Sequence, residues 1–198
     1  MKRIAITTLA CLAAGAALAG DFSQSDLKRM GVFLSNFTEL RILSIDDHFT
    51  DINTPDAMIR FGVLHNDANA YQRTVKQCKT PKCPYGAAVM DVEHVKNALA
   101  RYVNFVPGMM PNAEVNGQRF HFDGKHYHYD PAAGEGVYHV RVESATRQAD
   151  GNVQMKGVLF DPEDAKVTLG TVKALAAPHT WKGKPTWAIL TLDARLKD

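Results

Sequence analysis

No catalytic signature runs through this sequence. A Gly-x-Ser-x-Gly elbow, a His-Glu-x-x-His pair, a phosphate-binding Gly loop and a dinucleotide fingerprint are all missing. The enzyme classes built on those motifs are set aside, and the balance tips towards a non-catalytic domain. Excess charge is also lacking: 23 Lys and Arg stand against 21 Asp and Glu. That leaves no basic surface of the kind nucleic acid or an anionic membrane selects. No apolar run reaches the roughly 20 residues needed to span a bilayer. Cysteine is scarce, at three residues. Repeats, low-complexity tracts and Pro/Ser-rich linkers are absent too, so nothing divides the chain after its first twenty residues, and one domain with one sizeable core is expected.

What is present begins at the N-terminus. Lys2 and Arg3 form a charged leader, Ile4 to Leu18 is Ala-rich and apolar, and Ala17-Leu18-Ala19 has the small-residue pattern of a cleavage site. These features predict a signal peptide over residues 1–19 and a soluble domain over 20–198, exported to a bacterial periplasm. Cleavage removes Lys2, Arg3 and Cys11, so Lys plus Arg falls from 23 to 21 and equals Asp plus Glu. The two remaining cysteines, Cys78 and Cys83, bracket Lys79-Thr80-Pro81-Lys82. In an oxidising compartment an even pair on a short loop reads as a disulfide. The rival reading is a thiol redox or metal site. Redox pairs are usually two residues apart, and zinc normally has further Cys or His close by.

The period of the apolar residues changes along the chain. Ser23 and Asp26 form a capping box ahead of Leu27, Met30, Phe33, Leu34, Phe37 and Leu40 at helical spacing. Thr54-Pro55-Asp56 opens a second helix with Met58, Ile59, Phe61, Val63 and Leu64 on its apolar face, ending near His65–Asn69. A third starts at Asp91 and buries Val92, Val95, Leu99, Tyr102 and Val103. Later segments alternate instead: 137–147, 153–160, 166–176 and 186–196 read as strands, with 178–185 as a loop. The expected fold is α+β, with helices (20–112) packed on a curved antiparallel meander (113–198).

That order of elements resembles the nuclear-transport-factor-2-like cone, in which helices close over a bent sheet and leave a pocket. More locally, Leu34-Ser35-Asn36-Phe37-Thr38-Glu39-Leu40, together with Phe61 through His65-Asn66, is similar to a group of small exported bacterial proteins that carries no known activity. The cone implies a small-molecule pocket between helices and sheet, with Phe33, Phe37, Phe61, Tyr102 and Trp187 as candidate lining.

The most pointed cluster is Phe120-His121-Phe122-Asp123-Gly124-Lys125-His126-Tyr127-His128-Tyr129. With Asp123-Gly124 as a two-residue turn, His121 pairs with His126, and Arg119 with His128. His121, His126 and His128 then share one face, within reach of one Zn²⁺ or Cu²⁺ ion, while the aromatic residues take the other. The competing reading is a wetted polar face with no cofactor. Asp46-Asp47-His48 with Asp51 lacks the Gly and closing Glu of a calcium loop and reads as a polar connection. Three functions follow: an exported domain binding a small ligand or an envelope protein, an inhibitor or immunity protein against an envelope-degrading enzyme, or a metal-binding protein or hydrolase using the histidine face.

Overall fold

The computed structural model describes residues 22–45, 54–131 and 138–197. The expected signal peptide and the Asp46–Asp51 segment lie outside them. The fold is α+β, as expected, but it contains two antiparallel five-stranded sheets where one was predicted.

Helix α1 (Gln24–Thr38) starts at the Ser23–Asp26 capping box, both halves of which form. Helix α2 (Pro55–Thr74) starts at Thr54, whose hydroxyl accepts from Ala57 N–H at 3.1 Å. It stays regular through His65–Asn69, where it was expected to end, and kinks directly after them at Ala70, where φ is −147°. Within that stretch the Asn side chains bond back to carbonyls of the preceding turn. Asn66 donates to Gly62 O at 2.8 Å and Asn69 to His65 O at 3.1 Å. Helix α3 (Val92–Tyr102) is capped by Asp91 and buries Val92, Val95, Ala98, Leu99 and Tyr102.

The first sheet is the expected meander: β7 (His139–Arg147), β8 (Val153–Phe160), β9 (Thr168–Trp181) and β10 (Lys184–Leu196), with β1 (Ser44–Ile45) added beside β10. Residues 178–185 are not a loop. Strand β9 continues through Pro178, which pairs with Trp187, and turns only at Lys182–Gly183, both with positive φ. Pro178 is tolerated because the pairing of β9 with β8 stops at Ala176, so no second neighbour needs its missing N–H.

The second sheet, in the order β2-β3-β6-β5-β4, was not expected. It draws β2 (Val75–Gln77) and β3 (Ala88–Asp91) from the half read as helical, and adds β4 (Ala113–Val115), β5 (Gln118–Phe122) and β6 (His126–Tyr129).

Helix α1 seals the free edge of the meander at β7. Ser35 Oγ accepts from Val140 N–H at 2.9 Å, and Thr38 Oγ1 donates to Tyr138 O at 2.6 Å. The approach is close enough that a Cβ on Gly31 would fall 2.6 Å from Val140 O. A helix thus satisfies backbone groups that an open edge would offer to another chain.

Candidate metal centre

The second sheet is built from pairs that carry one chemistry on each face. Lys76 lies opposite Val89, Val89 opposite His128, and His128 opposite His121. Cross-strand partners share a face, and so do residues two apart. Lys76, Cys78, Val89, His121, His126 and His128 therefore point one way. Ala88, Met90, Phe120, Tyr127 and Tyr129 point the other, into the core. Tyr127 and Tyr129 are wholly buried but not unpaired, donating to Pro111 O and Asp67 Oδ1, each at 2.8 Å.

The hairpin register differs from the one predicted. Phe122 pairs with Tyr127 and His121 with His128, so Gly124–Lys125, not Asp123–Gly124, sits at the tip. Asp123 instead folds its carboxylate back over the turn, accepting from the N–H groups of Lys125 (2.8 Å) and His126 (2.7 Å). Moving the tip by one residue shifts each pairing by two, an even step that leaves every side chain on its predicted face.

The cysteines arrive from the ten-residue connection between β2 and β3. Cys78 N–H donates to Ala87 O at 2.8 Å, and Ala87 N–H to Asp130 Oδ1 at 3.0 Å, which lays this loop along β6. Gly86 makes the approach feasible: its φ is +124°, and a Cβ there would lie 2.2 Å from the carbonyl carbon of Tyr129.

Both sulfurs end up beside one imidazole. His128 Nδ1 is 3.7 Å from Cys78 Sγ and 3.5 Å from Cys83 Sγ, and the three donor atoms lie within 4.8 Å of one another. The cysteines are free thiols in this structure. On its far side His128 Nε2 meets Asp123 Oδ2 at 3.0 Å. A carboxylate there accepts a hydrogen bond from Nε2–H, so that in the neutral ring the Nδ1 lone pair is directed at the sulfurs.

The same contacts favour the Cys78 thiolate and the charged His128 ring, so a bound metal would displace the Nδ1 proton. The hydrogen bond from the Cys83 thiol, helped by Thr80 N–H, brings the Cys78 thiol down to about 7, while the same bond pushes Cys83 up. For His128, burial favours the neutral ring, but the bonds to Asp123 and Cys78 outweigh it and raise the pKa. Burial likewise opposes the Asp123 charge, and bonds from His128, His126 and Lys125 reverse that and hold its carboxyl well below the usual range.

Of the three predicted imidazoles, only His128 belongs to this group. His126 Nδ1 approaches Asp123 Oδ2 at 3.4 Å, and His121 stacks on Tyr85 with centroids 3.7 Å apart. Among the described residues, Cys78, Cys83 and His128 are the set of three or more such donors that converge. The available sequence cue was that the cysteine loop and the histidine hairpin both carry metal-ligating donors; their adjacency was not readable.

The predicted pocket residues divide. Phe37 and Phe61 stack at 5.0 Å in the filled interior. Phe33, Tyr102 and Trp187 instead line an open cleft of about 660 Å³ between α1, the end of α3 and the β9–β10 turn.

No protein-family model matches the sequence, and searches of curated proteins and of solved structures return no significant match.

Proposed function

We propose that this chain is an exported metal-binding domain that takes one thiophilic cation, Zn²⁺ or Cu⁺, on Cys78, Cys83 and His128. One observation carries the reading. A tetrahedral zinc with Zn–S near 2.3 Å and Zn–N near 2.0 Å requires S···N edges of about 3.5 Å. The two S···N distances are 3.5 and 3.7 Å. The ring already has the outer carboxylate that metal-ligating histidines characteristically use. Three protein donors leave a fourth position open, which suits an exchangeable ion better than a closed structural one. The reading rests on the second sheet and takes nothing from the cone-like topology.

The expected disulfide is the alternative state of the same residues. Exchange with an external disulfide would carry away two electrons and two protons, join Cys78 to Cys83 and remove both thiolates from the metal. The two states are therefore mutually exclusive.

Titration of the reduced protein with Co²⁺ tests the proposal. One equivalent should produce thiolate charge-transfer absorption with tetrahedral d–d bands, and Zn²⁺ should displace it. At a free Zn²⁺ concentration 100 times Kd the stability gain is about 2.7 kcal/mol. Cys78→Ser or Cys83→Ser should abolish the charge-transfer band. Asp123→Asn should keep it while weakening affinity roughly 10- to 100-fold, the usual cost of losing an outer partner. Reduced protein that shows no such band and no thermal shift with excess Zn²⁺ sinks the proposal.

A further inference from the structure

The cleft at the C-terminal end of α3 is lined by charge of one sign. Five cations line it, Lys28, Arg29, Arg101, Lys182 and Lys184, and no carboxylate does. Yet the expected mature chain carries equal numbers of acidic and basic residues. Positive charge has therefore been gathered here rather than merely being abundant.

Most of these cations rest on rings instead of acids. Arg101 lies 4.8 Å over the Tyr102 ring, Lys182 5.0 Å over Trp181, and Arg29 5.4 Å over Trp187. Arg29 also has Asp26 at 3.7 Å. Lys28, Arg101, Lys182 and Lys184 have no carboxylate partner among the described residues. A cation held by a π face keeps its N–H donors available for an incoming anion.

The walls are tied together. His179 Nε2 donates to Ala100 O at 3.0 Å, fixing β9 to the end of α3, and Arg29 reaches Pro185 O at 3.4 Å from α1. Phe33 packs against Trp187 and Tyr102, with centroids at 5.9 and 6.1 Å, forming an aromatic floor. Val32, 63 % exposed, adds an apolar rim.

From this we infer a second binding site, independent of the metal centre, for a small organic anion with a flat ring: the ring lies on the Phe33–Trp187 floor, and a carboxylate, sulfate or phosphate group is held by Arg101 and Lys184. Ring and charge are both needed. A bare anion lacks the stacking area, and a neutral ring leaves the cations unanswered.

The molecule supplies its own reporter, because the chain has two tryptophans and both line the cleft. Three probes separate the contributions: 4-nitrobenzoate (ring and charge), 4-nitrobenzyl alcohol (ring alone) and acetate (charge alone). The expected result is saturable quenching of tryptophan emission by 4-nitrobenzoate with 1:1 calorimetric stoichiometry. Binding of each control should be at least tenfold weaker. The double variant Arg101→Gln/Lys184→Gln should weaken 4-nitrobenzoate at least tenfold. Lys156→Gln/Lys173→Gln removes the same charge from an exposed pair on the meander and should change nothing. All four residues are exposed, so circular dichroism should show each variant folded. Equal quenching by the alcohol, quenching that never saturates, or indifference to the Arg101/Lys184 variant would each overturn the inference.

Discussion

His65 sits between the rings of Phe61 and Tyr102, with centroids 5.6 and 4.7 Å away, and only 8 % of it reaches solvent. Burial, reinforced by nearby Arg101, lowers its pKa from 6.5 to about 4. The unfolded chain then binds a proton more readily than the folded one. This contribution is intact above the unfolded value of about 6.5 and is lost as pH falls towards about 4. The total is on the order of 3 kcal/mol, at about 1.4 kcal/mol per pH unit. Burial raises Glu39 and Asp67, and raised carboxyls contribute with the opposite sign. The comparison must therefore be between wild type and His65→Gln. Urea denaturation from pH 7.5 to 4.5 should show stability falling more steeply in the wild type, and parallel curves would refute a buried neutral His65. The position was legible only as a polar residue after an apolar helix face. The stacking that buries it brings α2 and α3 together and leaves no local trace in the sequence.

Among the elements, those with long periods or strong caps were readable: Ser23–Asp26, Thr54–Pro55 and Asp91 each open a helix where the pattern placed one. Strands β2 and β3, at three and four residues, were not. Such lengths are too short for alternation to emerge, and both strands abut helices whose stripes dominate the window. The metal centre failed to appear for the same reason, since its thiols are placed by β2–β3 pairing and by contact with β6 some 45 to 50 residues away. The His face survived a wrong turn because the error was even. The junction of α1 with β7 gives two tests at this scale. Ser35→Ala leaves Val140 N–H without its hydroxyl acceptor and should cost about 1–2 kcal/mol. Gly31→Ala drives a methyl against Val140 O and should cost about 1–3 kcal/mol by forcing the helix off the strand. Denaturant midpoints measure both, and an unchanged Gly31→Ala midpoint would mean that α1 does not seal this edge.

At the scale of the whole molecule, α3 runs from the sheet that carries the metal centre to the cleft. It leaves β3 at Asp91, where Val92 N–H bonds to Lys125 O in the histidine hairpin, and it ends at Arg101 and Tyr102 in the cleft. Its 11 residues separate the two regions by about 16 Å. Among the described residues, no hydrogen bond or ion pair joins a ligand donor of one site to a lining residue of the other. Groups that far apart without shared partners usually contribute additively, to within about 0.5 kcal/mol. Binding of Zn²⁺ should therefore change the 4-nitrobenzoate dissociation constant by no more than about twofold, and reciprocity requires the same limit on the effect of the anion on Zn²⁺. Calorimetric titration of each ligand with the other saturating decides this. A tenfold effect in both directions would show α3 moving as a rigid rod between the sites, and the molecule would then be one coupled receptor instead of two independent binding surfaces on a common core.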